Sequence, residues 1–285
     1  MVVIENSVKL GAVCFAEYEG DYLDFLKLCY NQGLCWVEFK YENPVSGRER
    51  SAHTDKIKEK AVRLGLGLSV HTRFQGFNIG SLQDEERNDS LHAIIESLNF
   101  AHDVGAHYAT VHAGDLASED YSKENYKESF NRSIAGLKSL QQEAEARGIT
   151  LCVENGNGFV KSKLKHAVIP ADLKRIRRLL ANKIHFTLDM GHGTYFSTDP
   201  SYLVSELGIA NVKLAHLHDN NGEEDSHRPL GEGVIQVEKI FRRYVEEGWS
   251  FPLSLELKST EHLVESINYA RDIISTMEYE VCQIP

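Results

Sequence analysis

The segment 212–233, VKLAHLHDNNGEEDSHRPLGEG, carries His216, His218, Asp225 and His227 within a strand-like run and the polar stretch after it. In an extended strand, Val212, Leu214, His216 and His218 share one parity, and Ala215 and Leu217 the other. Two histidines on one face followed by Asp-x-His concentrate imidazole and carboxylate, the nitrogen and oxygen donors of zinc, manganese and iron. The same residue types close other apolar runs: His71 in LSVHT, His112 in ATVHAG, Glu154 in LCVENG, Asp189 and His192 in TLDMGH, and Glu256 in LSLELK. A single histidine or carboxylate at such a place is ordinarily hydrogen-bonded, solvated or salt-bridged. A set converging on one place is different, because buried carboxylates without a partner are costly and call for a cation.

Convergence depends on the elements that carry the donors. Runs at 11–15, 35–39, 66–71, 107–112, 149–154, 184–189, 212–218 and 251–257 read as strands. Helical spacing with Gly or Pro boundaries places helices at 21–31, 53–63, about 84–104, about 123–147, from 170 onward, 199 to about 207, 237–247, and 259 to about 277. Segment 42–52 reads as a polar loop, and 219–234 as a long polar segment expected to fold over the site. Strands that alternate with helices pair in parallel through crossovers. Eight such units without a linker predict an α/β chain forming one domain over residues 1–285, a (β/α)8 TIM barrel rather than a doubly wound sheet. Neither G-x-G-x-x-G nor G-x-x-x-x-G-K-[ST] follows any strand.

In such a barrel the C-terminal strand ends form one rim, where the active site lies. Glu154, Asp189, His216 and Glu256 come from strands five to eight, which are neighbours, and are the expected metal ligands. His71 and His112 read either as ligands of a further ion or as substrate contacts. His192, Asp225 and His227 form a second His/Asp/His group across the mouth, with His192 and His227 also candidates for substrate contact. His218 lies beyond its strand end and reads as a neighbour supporting the ligands. Glu38 either points inward or forms a salt bridge; Trp36 reads as core, and Phe15 as mouth or core. No chemistry is assigned to His53, His92, His102, His107, His166, His185 or His262. The donor set suits one to three divalent ions: Mn, Zn, Mg, Co or Fe.

A formal net charge of −11 disfavours broad nonspecific nucleic-acid binding, while leaving room for a local basic groove. Apolar runs of strand length exclude a membrane span within the sequence, and 1–10 lacks the pattern of a signal peptide. Five scattered cysteines without C-x-x-C read as reduced thiols, so a cytoplasmic enzyme is expected. A homo-oligomer is compatible with all of this.

The motifs VHAGD, CVENGNG, TLDMGH, HLHDNN and RPLGEG resemble the xylose isomerase-like barrel superfamily over almost the whole chain. That group holds sugar and sugar-phosphate isomerases and epimerases, some dehydratases, and the endonuclease IV class of abasic-site nucleases. The resemblance implies a one-metal site at Glu154, Asp189, His216 and Glu256, with Glu154 and Glu256 as the acid/base pair moving a proton beside a carbonyl. It also matches His71, His112, Glu154, Asp189, His192, His216, Asp225, His227 and Glu256 to the full ligand set with which the nuclease holds three zinc ions. The chain departs from that nuclease at 190–192, Met-Gly-His rather than Thr-Cys-His, and at 218–221, His-Asp-Asn-Asn rather than Asn-Asp, a small residue and Lys. DNA-gripping residues are not evident, with Arg48, Arg50 and Arg73 as the candidates. The favoured expectation is an isomerase or epimerase of a small sugar, sugar phosphate or keto acid. The alternative is a multi-zinc phosphodiesterase acting on abasic DNA.

Overall fold

The computed structural model describes residues 8–15, 18, 21–41 and 48–282; of the side chains of 48–52 and 278–282 nothing is said. In chain order the elements are β1 (Leu10–Cys14), α1 (Tyr22–Asn31), β2 (Trp36–Lys40), α2 (Arg48–Leu64), β3 (Gly67–His71), α3 (Asp84–Val104), β4 (Tyr108–Val111), β5 (Asp115–Ala117) and α4 (Lys123–Ala146). They continue with β6 (Thr150–Glu154), β7 (Lys163–Lys165), α5 (Pro170–Leu179), β8 (His185–Asp189), α6 (Met190–Gly193), α7 (Tyr202–Leu207), β9 (Val212–Leu217), α8 (Val237–Glu246), β10 (Leu253–Leu255) and α9 (Thr260–Cys282).

Eight parallel strands close in the order β1–β2–β3–β4–β6–β8–β9–β10, and Leu10 pairs with Leu253 across the seam. This is the barrel the alternation of strands and helices implies. The strands are buried on both faces, for two different reasons. One parity (Val37, Phe39, Leu68, Val70, Leu151, Val153, Phe186, Leu188) joins the apolar core beneath the helices. The other parity meets across the barrel interior and is largely polar. Thr110 of β4 hydrogen-bonds Thr187 of β8 at 2.8 Å although β6 lies between those strands. Glu38 of β2 reaches His216 of β9 at 2.9 Å and accepts from Ser69 of β3 at 2.8 Å. Trp36 stacks on Tyr108 and donates to Ser69, half-buried rather than in the apolar core.

Strand ends differ from the sequence reading by a residue or two, so that His112, His218 and Glu256 stand just past β4, β9 and β10. α2 begins at Arg48, not at 53, because the Arg- and Glu-rich start has good helix propensity despite a weak apolar period. The loop read at 42–52 is therefore corrected from 48 onward, and 42–47 lie outside the described residues. The antiparallel ribbon of β5 and β7, three residues each, is an addition that spacing could not show, because segments so short carry no periodicity.

Candidate metal centre and active site

The rim brings the expected donors together. The closest donor atoms of Glu154, Asp189, His216 and Glu256 all lie within 4.8 Å of one another, and all four residues are buried. His216 Nδ1 is the hub: Glu154 Oε1 is 3.0 Å away, Glu256 Oε2 2.9 Å and Asp189 Oδ2 3.8 Å. Asp189 Oδ2 and Glu256 Oε2 are buried with no aligned hydrogen-bond donor. Three carboxylates around one imidazole, two of them with an oxygen unsatisfied, require a positive charge. Burial pulls the His216 pKa down, yet the charges of Glu256 and Glu38 overcome it and hold it well above its ordinary value. A divalent ion meets the same need, and one nitrogen with three oxygen donors suits Mn, Zn, Mg or Co. The residues therefore fit the metal that the sequence implies.

Ring orientation supports that fit. A backbone carbonyl only accepts, so a ring nitrogen facing one carries the proton and leaves the other free to ligate. His71 Nδ1 faces the Thr72 carbonyl at 2.9 Å, His192 Nδ1 that of Asn155 at 2.7 Å, and His227 Nδ1 that of Glu256 at 2.9 Å. His216 is held the other way round, with Nε2 on Glu38 and Nδ1 turned to the cluster.

Two further groups flank the first. His71 and His112 meet Glu154 Oε2 at 3.2 Å and 2.7 Å, so Glu154 bridges this group to the central one. Burial pushes the His112 imidazole down to about 4, against the pull of Glu154, so it is neutral and ligand-like at neutral pH. In the other group the donor atoms of His218, Asp225 and His227 lie within 4.8 Å of one another, and His192, expected beside Asp225 and His227, also meets Asp225, so that His218 is an addition to the expected set. His218 stacks on His227 at 3.9 Å, its Nε2 buried without an aligned partner and 3.4 Å from Asp225 Oδ1. His192 lies between Asp225 Oδ2, at 3.2 Å, and Asp189 Oδ2, at 3.5 Å. Although burial lowers its pKa, the charges of Asp189 and Asp225 raise it to about 10. His218 moves inward because residue 191 is glycine: a Cβ there would stand 2.0 Å from its ring.

The sequence motifs are the stitching of this rim. Asn155 of CVENGNG exchanges hydrogen bonds with the Asp189 backbone, 2.7 Å and 2.9 Å, and Asn157 donates to Asp225 at 2.8 Å. Asp219 of HLHDNN, fully buried, accepts from the backbone N–H groups of Asn220, Gly231, Gly233 and Ile235 at 2.9–3.1 Å. It thereby folds the 219–234 segment so that Asp225 and His227 reach the mouth. His227 takes a left-handed φ of +48°, a backbone cost that a functional position carries.

Lys40 escaped the sequence reading. Lys40, at the end of β2, is buried and ion-paired with Glu256 Oε1, its ammonium 4.1 Å from the Phe15 ring. Phe15 thus lines the mouth. Lys40 has the parity of Glu38, two residues earlier, which was the available signal. Glu38 itself points inward, fully buried against His216.

Above the donors lies one cavity of about 340 Å³, the size of a small-molecule site. Glu154, Glu256, His192 and His227 line it together with Phe74 and Phe77. No helix among the described residues is long and apolar enough to cross a membrane.

The chain matches the family described as xylose isomerase-like TIM barrel over residues 26–277. It is 25% identical to L-ribulose-5-phosphate 3-epimerase UlaE of Escherichia coli, with 95% of each chain covered. It is also 25% identical to an uncharacterised protein of Methanocaldococcus jannaschii, over 80% of this chain and 76% of that one. Among solved structures it resembles a D-tagatose 3-epimerase-like protein, with a TM-score of 0.81, 20% identity and coverage of 96% of this chain and all of that one. An L-ribulose 3-epimerase superposes with a TM-score of 0.76 and 18% identity, over 97% of this chain and 98% of the other.

Proposed function

The chain belongs to the xylose isomerase-like TIM barrel family, and from that footing we propose that it is a divalent-metal-dependent epimerase of a small sugar, sugar phosphate or keto acid. The observation that carries this reading is the pair Glu154 and Glu256, which both approach His216 Nδ1, at 3.0 Å and 2.9 Å, and both line the cavity. The curated relative that acts on a ketose phosphate as a 3-epimerase supports it.

Glu154, Asp189, His216 and Glu256 would hold the metal, which would supply Lewis-acid polarisation of a carbonyl and the neighbouring hydroxyl. One of the two glutamates takes the proton from the carbon beside that carbonyl; the other returns a proton to the opposite face, inverting the centre. Lys40 keeps Glu256 ionised. Glu38 fixes His216 with Nδ1 toward the site. His192 and His227, which line the cavity, contact the substrate hydroxyls.

The test is solvent deuterium uptake at C3 of a ketose or ketose phosphate, followed by NMR on protein loaded with Mn, Mg, Zn or Co. Uptake is expected, with a loss of about 10³-fold or more in E154Q and E256Q. Undiminished exchange in either variant would falsify the acid/base assignment.

A second reading, the multi-zinc phosphodiesterase, is favoured by one observation: three adjacent donor groups, two of them sharing Glu154 and the third reaching Asp189 through His218 at 3.3 Å. Two or three zinc ions per chain by mass spectrometry, together with incision of an abasic duplex, would support it. The cavity dimensions favour a small molecule.

A further inference from the structure

The cavity does not end at the carboxylates. Its lining also carries Arg73, Lys163 and Lys165, and besides the donor carboxylates Glu154, Asp225 and Glu256 it holds one further carboxylate, Asp115. Lys163 and Lys165 lie two apart on β7 and so share a face. Asp115 is already engaged, accepting from Lys163 at 3.1 Å and from the Asn78 amide at 3.3 Å. Arg73 stacks on Phe77, and its only carboxylate contact among the described residues is Glu96 at 3.5 Å, a long one that leaves its buried Nε without a partner among them. Lys165 is the clearest case: no acceptor among the described residues takes a hydrogen bond from its ammonium. Its stem runs over Gly156, where a Cβ would stand 2.9 Å from Cδ, so the CVENGNG loop leaves it room. Burial lowers its pKa, with Glu154, Asp225 and Asp115 pulling the other way, so the half-buried ammonium has lost water without gaining a partner. A cation desolvated in this way, in the wall of a substrate cavity, awaits an anion.

We propose that Arg73, Lys163 and Lys165 form a phosphate subsite, and that the substrate is a phosphorylated sugar whose phosphate sits there while its carbonyl end lies over Glu154 and Glu256. This rests on the epimerase reading for the carbonyl end and adds the class of substrate. With the donor carboxylates assigned to the metal, three cations beside one already engaged carboxylate match a dianionic phosphate better than a neutral sugar, and Phe74, against His112, and Phe77, against Arg73, offer the carbon chain an apolar wall.

The test uses metal-loaded, full-length protein with ribulose 5-phosphate, free ribulose and inorganic phosphate as probes. C3 deuterium exchange should show kcat/KM at least about 100-fold higher for the phosphorylated sugar. K165M should cut that preference about tenfold or more, mainly through KM, and K165R should recover most of it. Inorganic phosphate, titrated calorimetrically and needing no turnover, should bind the wild type about tenfold or more tightly than K165M. Exchange with no preference for the phosphorylated sugar overturns the subsite and leaves the epimerase reading standing. No exchange on either sugar with Lys165-dependent phosphate binding retained upholds the subsite and overturns the epimerase reading. Equal phosphate affinity in wild type and K165M overturns the subsite.

Discussion

The Lys40–Glu256 pair shows how single residues set the chemistry. A buried ammonium beside a carboxylate stabilises the ionised form, and together with His216 it holds the Glu256 pKa well below its ordinary value against the opposing effect of burial. Removing Lys40 therefore raises the Glu256 pKa. In K40M the acid limb of the pH–rate profile should move to higher pH, with kcat falling about 10- to 100-fold. A profile whose acid limb stays where it was would mean that Lys40 does not act on the titrating group. The other residue-level device is the fixing of ring nitrogens. His71, His192 and His227 each give one N–H to a backbone carbonyl, and His216 gives its own to Glu38, so that none has to reorient to bind a cation.

At the scale of elements, α4 and the strand β7 are tied together by His166. Its ring is buried between Ser129 and Ser133, with Nε2 3.3 Å and Nδ1 2.9 Å from their hydroxyls and the Phe130 ring alongside. Burial, partly offset by Asp115, takes its pKa from 6.5 to about 4. The unfolded chain therefore binds a proton that the folded one refuses. Stability is full above pH 6.5 and is lost as the pH falls from 6.5 toward 4, by on the order of 3 kcal/mol for this residue. His185, also pushed down to about 4, acts in the same direction. Urea unfolding of wild type and H166Q across that window should show a shallower pH slope for the variant. Parallel slopes would remove His166 from the account. The Asp219 hub works at the same scale: four backbone N–H groups on one carboxylate turn a sixteen-residue polar segment, 219–234, into a defined wall of the site.

For the molecule as a whole, the barrel presents candidate cation donors that are already assembled, so a metal bound there would add directly to folding stability. At a free metal concentration about 1,000 times Kd the gain is about 4 kcal/mol, which for a chain of this size is a rise in Tm on the order of 10 °C. Scanning calorimetry before and after exhaustive chelation should show that loss, reversed on adding Mn, Mg, Zn or Co. A Tm indifferent to both treatments would mean that the carboxylate cluster is not a metal centre. Metal content per chain then separates one ion at the central group from the two or three that the flanking groups allow.

The sequence by itself determined the barrel and the rim. Alternating strand and helix periodicity admits little else at this length, and a parallel barrel sends every strand's C-terminal end to one side, so His71, His112, Glu154, Asp189, His216 and Glu256 had to meet. Asp225 and His227 were legible as donors through their Asp-x-His spacing. What the tertiary structure decided was pairing across elements distant in sequence. That His218 stacks on His227 and comes within reach of Asp225 depends on the space above Gly191 and on the path that Asp219 gives its loop. The burial of Lys40 against Glu256, and the turning of Lys165 into the cavity over Gly156, depend on how strands and ribbon close around a shared interior. Strand period fixes which face a side chain leaves from; only the closed packing of the barrel fixes what it meets there.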